Sequence, residues 1–307
     1  MRAPALSAHA LALVLVASAC SPSTGGPGIG DSCSLDDPCD DGICNLSGPG
    51  EPVCIELDGD IDGDGLPNRS DFCNQQAGGA FDEDGDLLGD DCDPCPIAPP
   101  PARADSDNDG VDSPCDPDPT LDGNRITLFQ GFNDAALPAD WRKEGGTWEV
   151  RGGEAVFTAT DPNAVAILTA PLPLSSRHLA VQASYRVNRV DATANQNAAG
   201  LTSIDRRPAG TTAVTCNGSR VGGMDSLVVN SDVGAMARPF TNLFDPAGLY
   251  RLAQLIDNAS GACAMRANTQ EGGVSATTPG EIPTEAGLSA RAADLRFQYL
   301  LIVQRPN

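Results

Sequence analysis

From Arg125 to Asn307, short apolar or β-branched runs alternate with turn signals. Ile126–Gln130, Thr147–Val150, Glu154–Thr158, Val165–Thr169, Leu179–Val187, Thr211–Thr215, Leu227–Asn230, Tyr250–Ile256 and Phe297–Val303 each read as a strand. Arg151-Gly152-Gly153, set between Trp148-Glu149-Val150 and Ala155-Val156-Phe157, predicts a hairpin turn. The polar stretches Asn188–Gly200 and Arg206–Gly210 read as loops. There is no long amphipathic helix. Strands in such number predict two packed antiparallel sheets over residues 125–307. Residues 31–119 carry no such pattern: apolar residues are few, a 3.6-residue period is absent and Pro is frequent. The chain therefore reads as mainly β, with an irregular region followed by a β-sandwich.

The N-terminus has its own pattern. Arg2 precedes an apolar run from Ala10 to Ala17, too short for the roughly 20 residues of a membrane-spanning helix. Small residues Ala17-Ser18-Ala19 then lead to Cys20. Residues 1–19 thus read as a signal peptide, and residues 20–30 as a polar tether beginning Cys20-Ser21-Pro22-Ser23. Ala-Ser-Ala fits ordinary signal cleavage. The stretch also resembles a bacterial lipoprotein lipobox, although Ala17 stands where that family usually has Leu. The resemblance implies a lipidated Cys20, export, and an outer-membrane or cell-surface location. The count supports it: setting Cys20 aside from 11 cysteines leaves ten, enough for five pairs.

Charge divides the chain. The formal net charge is −23. Residues 20–119 carry 25 acids against Arg69 and Arg103 alone, whereas residues 120–307 are close to balanced. Such acidity excludes a phosphate-backbone binder, so no nucleic-acid partner is expected. Within the acidic part, residues 31–57 hold Cys33, Cys39, Cys44 and Cys54 and too little apolar surface for a core. In an exported chain they read as two disulfides, with three connectivities open. A zinc site would need thiolates at closer, CxxC-like spacing.

Residues 58–119 repeat. The first copy runs Asp60, Asp62, Asp64, Asn68 and Asp71 at positions 1, 3, 5, 9 and 12, with Gly65 at 6 and the Leu66 carbonyl at 7; Asp58 lies just upstream. The second has Asp82, Asp84, Asp86, Asp90 and Asp93, with Leu88 at 7 and Leu87 in place of the glycine, so its turn is expected to differ. The third has Asp105, Asp107, Asp109 and Asp116, with Gly110 at 6, Val111 at 7 and Ser113 at 9. Oxygen donors on alternate residues of a curled loop suit calcium, a hard cation that takes six to eight oxygens. Pro96–Pro101 reads as a stiff spacer between copies two and three.

The DxDxDG runs with interleaved cysteines (Asp71-Phe72-Cys73, Cys92-Asp93-Pro94-Cys95, Cys115-Asp116-Pro117) resemble thrombospondin type 3 repeats. That resemblance implies a calcium-filled interior and the pairs Cys73–Cys92 and Cys95–Cys115. The opening Gly131-Phe132-Asn133-Asp134, Trp141, Gly146-Thr147-Trp148 and the closing Ala286-Gly287-Leu288, Phe297–Val303 resemble concanavalin A/laminin-G-like jelly rolls. Cys216 and Cys263, the cysteines of that region, are expected to pair.

Catalytic signatures are weak. His178 is the one histidine after the leader and is expected at the surface, and no GxSxG occurs. Asp140, Glu144, Glu149 and Glu154 are close in sequence, which hairpin alternation explains. Trp141 and Trp148 are expected in the core, and Tyr185, Tyr250 and Tyr299 carry no signal for a sugar platform. The expectation is a non-enzymatic, calcium-binding, lipid-anchored adhesion or ligand-binding protein with an unknown glycan or protein partner. The alternatives are a carbohydrate hydrolase on the same fold and a calcium-stiffened spacer.

Overall fold

A computed structural model describes residues 25–47, 50–99, 104–208, 210–280 and 282–307. The signal peptide, Cys20 and the start of the tether lie outside the described residues, as do Pro100, Pro101 and Ala209.

The cysteine-rich segment holds two strands, β1 (Ile43–Asn45) and β2 (Val53–Ile55), in antiparallel register. The bonds Cys33–Cys44 and Cys39–Cys54 tie it down. This selects one of the three open connectivities and leaves no thiolate for zinc. From residue 58 to 124 the described chain contains one 3-10 turn, Asn68–Ser70, and no strand.

Everything after Asn124 is strand and turn. The strands are β3 (Arg125–Gln130), β4 (Arg142–Glu144), β5 (Thr147–Val150), β6 (Ala155–Thr158), β7 (Ala166–Pro171), β8 (His178–Val190), β9 (Gln196–Arg207) and β10 (Gly210–Val221). They continue as β11 (Met224–Ser231), β12 (Gly234–Pro239), β13 (Tyr250–Asp257), β14 (Ser260–Ala267), β15 (Gln270–Thr277), β16 (Glu285–Arg291) and β17 (Ala293–Arg305). One sheet runs β12-β11-β10-β9-β16-β7-β4; the other runs β15-β14-β13-β8-β17-β6-β5, with β3 also on β17. The fold is a mainly β, two-sheet sandwich.

Alternation places Leu168, Tyr185, Leu201, Tyr250, Leu288 and Phe297 between the sheets, with Trp141 and Trp148 buried beside them. Cys216 of β10 bonds Cys263 of β14 and joins the two layers. The β5–β6 turn has φ +61° at Gly152 and +73° at Gly153, and Arg151 N–H reaches Glu154 O at 2.9 Å. Both glycines take the left-handed conformation that such a hairpin demands.

The expected loops Asn188–Gly200 and Arg206–Gly210 are a correction. β8 continues to Val190, β9 starts at Gln196, and Arg206 and Arg207 pair with Thr211 and Gly210. Size, not hydropathy, decides here. A Cβ on Gly200 would lie 2.2 Å from the Cys216 carbonyl oxygen, so the pleat needs a bare backbone. Polar Ser203 and Gln254 are buried because they bond each other at 2.6 Å, and Gln254 Nε2 donates to Val214 O.

From Tyr299 to Gln304, β17 is buried on both faces. Leu300 and Ile302 point into the sandwich, while Tyr299, Leu301 and Val303, with Ala180 of β8, pack against Val111 and the Cys95–Cys115 bond. The acidic region thus covers part of the outer sheet face. Gln182 Nε2 donates to Cys115 O across this contact at 3.4 Å. Leu301→Ala should therefore cost about 2–4 kcal/mol, as at a core site. Denaturant midpoints at constant m-value will show it; a cost within about 0.5 kcal/mol would mean that this face is open to solvent.

Candidate metal centres in the acidic repeats

The three copies fold into one repeated loop. In the first, Asp60 takes the N–H of Gly63 at 2.7 Å and of Gly65 at 3.1 Å. In the second, Asp82 takes those of Gly85 and Leu87; in the third, Asp105 takes those of Asn108 and Gly110. The aspartate at position 5 accepts the N–H of position 7 each time: Leu66 to Asp64, Leu88 to Asp86, Val111 to Asp109. Positions 4 and 6 both adopt positive φ. Gly and Asn tolerate that conformation well.

Leu87 corrects the expectation of a different turn. Its φ is +72°, close to the loop's pattern, and its side chain is half exposed. The two N–H bonds to Asp82 hold the backbone there, against the steric preference of a leucine.

The carboxylates converge. One oxygen from each member of Asp60–Asp62–Asp64, of Asp82–Asp84–Asp86 and of Asp105–Asp107–Asp109 lies within 4.8 Å of the others in its trio. Two oxygens sharing an ion at about 2.3–2.6 Å can be no further apart than about 4.6–5.2 Å, so each trio fits one calcium ion. Asp62 Oδ2 and Asp116 Oδ2 are buried with no hydrogen-bond donor. Such buried anionic oxygens require a compensating charge.

Position 12 closes each loop. Asp71, Asp93 and Asp116 each accept an N–H from two residues on, at 2.7–2.8 Å. Each has its pKa pushed up, first by burial and then by the negative charge of its own trio; for Asp93 the value reaches about 7. Position 9 clips the loop: Asn68 Oδ1 takes the Ile61 N–H, and Asp90 Oδ1 takes that of Glu83. In the third copy, the Ser113 and Ser106 hydroxyls meet at 3.3 Å. Asp58 stands apart from the trio, 80% exposed and ion-paired with Arg69. Cys73–Cys92 and Cys95–Cys115 are bonded, the pairs the repeat resemblance implies.

Two acids that the spacing did not mark also belong here. Asp112 is buried and its charge acts on Asp93 across the copies. Glu83 is exposed along its length, but desolvation of its carboxylate and then the charge of Asp90 push it up to about 7, and Asp90 itself rises to about 6. The Glu83 carboxylate meets Asn133, which anchors the second copy to the sandwich. Position 2 of a calcium loop carries no signal for such a contact.

The sandwich offers less. Trp141, Trp148, Tyr185, Tyr250 and Tyr299 are all buried. Glu144 meets Arg142 and Arg206, Glu149 meets Arg151, and Glu154 meets Arg296, on different sheets. Asp140 precedes β4 and is exposed. His178 is half-buried rather than open, with Nδ1 2.7 Å from Asp257 and 3.1 Å from Arg305 Nη2.

No protein-family model matches the sequence, and no curated protein matches it. Solved structures do. The GH43 protein BlXynB of Bacillus licheniformis matches over 57% of this chain and 39% of its own, at 11% identity and a TM-score of 0.42. Lectin II of Ulex europaeus matches over 59% of this chain and 100% of its own, at 8% identity and 0.44. The CBM2 module of the Dit protein from Lactobacillus casei BL23 phage J-1 matches over 60% and 97%, at 10% identity and 0.40. The chain thus spans well under half of the GH43 protein it matches. At these distances the likeness says nothing about chemistry.

Glu83, Asp90 and Asp93 set a pH dependence. Their folded pKa values are raised, so the metal-free folded chain binds more protons than the unfolded chain between about pH 4 and 7. Metal-free protein should lose stability as pH rises through that window, and calcium uptake should weaken as it falls. Melts at pH 5 and 7.5, with chelator and with calcium, will reveal opposite slopes. Leu87→Gly should raise the calcium-loaded stability of the repeats by up to about 1 kcal/mol, since relief of left-handed strain exceeds the entropic cost of glycine. A fall in midpoint would show that the leucine's apolar contacts outweigh the strain.

Proposed function

We propose that this is an exported, lipid-anchored surface protein whose acidic repeats bind calcium and thereby present a β-sandwich that binds a ligand. The observation that carries the calcium part is the convergence of three aspartate trios, each with a twelfth-position aspartate closing it. Calcium would be held in the first copy by Asp60, Asp62, Asp64, Asp71 and the Leu66 carbonyl. Asp82, Asp84, Asp86, Asp93 and Leu88 would serve the second, and Asp105, Asp107, Asp109, Asp116 and Val111 the third. The ion supplies positive charge and crosslinks, and no chemistry of turnover is assigned to it. The protein's own residues do the rest: turn N–H groups hold position 1, and Cys73–Cys92 and Cys95–Cys115 tie the second and third loops to the chain before them.

The anchor reading is supported by cysteine use. Ten cysteines form five disulfides, and Cys20 is the eleventh. A free thiol in an oxidising compartment would be a liability. The sandwich would act by binding, as an adhesion module at the outer membrane or cell surface.

Circular dichroism and calorimetry on the full mature chain test the calcium reading. Millimolar calcium should add a cooperative transition that chelator removes, and Asp107→Ala together with Asp109→Ala should abolish the gain from the third site. Identical melts with and without chelator would refute it. Cys20→Ala should move the protein from the membrane fraction to the soluble exported fraction; unchanged membrane partition would refute the anchor.

A further inference from the structure

The outer face of the eight-stranded sheet is only half covered. Cross-strand register sets its side chains in three rows. The first is Tyr299–Ser184–Arg251–Arg266–Glu271, the second Leu301–Gln182–Ala253–Ala264–Gly273, and the third Val303–Ala180–Leu255–Ala262–Ser275. The third repeat sits on the β17 end of these rows. Beyond it, over β8, β13, β14 and β15, the floor drops to Ala253, Ala262, Ala264 and Gly273. Two adjoining cavities of about 580 and 440 Å³ occupy this trough, walled on one side by Pro114, Asp116 and Pro117 of the repeat.

One edge of the trough is basic. Arg251 and Arg266 are exposed and directly opposite each other in the ladder. Like charges so placed repel and destabilise the pair. The chain has 42 acids for 19 bases, yet neither guanidinium makes an ion pair among the described residues. Nine other arginines do. Two guanidinium groups without a contacting carboxylate stand above an apolar floor; Glu271 follows Arg266 in the row and offsets part of its charge, which leaves Arg251 the freer of the two. Such a pair is suited to an external anion, because the planar fork of arginine grips a carboxylate bidentately.

We propose that this trough binds an acidic oligosaccharide, with a uronate-type carboxylate held between Arg251 and Arg266 and ring faces lying on the Ala253–Ala264–Gly273 floor. The trough crosses strands whose backbone groups are already paired, so an added peptide strand finds no edge here. What it offers is side-chain donors (Gln182, Ser275 and the two arginines) for hydroxyl and carboxylate oxygens, and two acceptors, Glu271 and Asp116, at its ends for sugar hydroxyls. The site deepens, and rests on, the ligand-binding role proposed above. It also couples that role to calcium without any ligand touching the ion: the wall at Pro114–Pro117 belongs to the third repeat, so the trough is complete only while that repeat is docked.

The test is calorimetric titration of the full mature chain in calcium with a hyaluronan hexasaccharide, the uncharged chitohexaose and a hexaglutamate peptide. Hyaluronan should bind, more weakly as salt rises, and chitohexaose about tenfold or more weaker. Arg251→Gln and Arg266→Gln should each weaken the hyaluronan complex about tenfold while melting like the parent, and Ala264→Trp should abolish it by filling the floor. Chelator should abolish it as well. Equal binding of chitohexaose, tighter binding of hexaglutamate, or indifference to both arginine changes would overturn the proposal. Equilibrium dialysis of the same samples with radioactive calcium separates the two readings: calcium retained without hyaluronan uptake overturns the trough alone, whereas no retained calcium overturns the calcium reading beneath it.

Discussion

Negative charge crowded into small loops is the constraint to which the rest of this chain answers. Each loop draws three carboxylates within 4.8 Å and closes on a fourth. Two such charges at 4 Å repel by about 1 kcal/mol in water and about 4 kcal/mol at a protein surface. Ordinary proteins offset a cost of that kind with buried apolar area. Residues 58–99 and 104–118 have little to give: Leu88, Val111 and three of the four disulfide cysteines, Cys73, Cys95 and Cys115, are the buried hydrophobic side chains there. The segment folds through turn N–H groups that neutralise position 1, covalent bonds that limit the unfolded chain, and, on the calcium reading, a cation in each trio.

The sandwich solves the opposite problem. It has apolar residues to spare on the Tyr299–Val303 part of β17, where both faces are greasy, and a sheet face that would otherwise be exposed. Docking the Cys95–Cys115 bond and Val111 on Leu301 and Val303 meets both needs. The repeat region gains an apolar floor that it cannot supply itself, and the sheet gains a cover. That exchange makes the third repeat part of the sandwich's surface, which is why the trough beside it has one wall from each.

Much of this was legible in the sequence, and the reason differs by region. Asp-x-Asp-x-Asp spacing is a local geometric requirement, so three loops could be placed by counting. Strands with bulky alternation, such as Thr147–Val150 and Tyr250–Asp257, were equally plain. β9, β12, β14 and β15 were not, because Ala, Gly and Ser fill their positions and carry no hydropathic contrast. In β9 and β14 small size is dictated by neighbours further along the chain, Gly200 by Cys216 and Asn217 and Gly261 by Thr278, whereas β12 is exposed along its length. Leu87 misled for a related reason. Residue preference forecast a new turn, but hydrogen bonds to Asp82 imposed the old one. Asp112 and Glu83 were invisible because their partners lie in another copy and in the sandwich.

The central aspartates do more than line loops. Asp64 Oδ2 accepts the N–H of Gly78, at the entry to the second copy, at 2.9 Å. Asp109 Oδ2 accepts that of Asn124, the residue before β3, at 2.6 Å, and Asn124 Nδ2 returns to Asp116 Oδ1 at 2.8 Å. Each of these aspartates therefore holds its own loop with one oxygen and the next structural unit with the other. A cation drawn to the trio would fix both oxygens at once, since rotating the carboxylate toward the ion also sets the direction of the outgoing bond. Loading of the first loop would then order the start of the second, and loading of the third would order the entry to the first strand of the sandwich. On the calcium reading, a bound ion would act beyond its own loop at these two joints, through Asp64 on Gly78 and through Asp109 on Asn124.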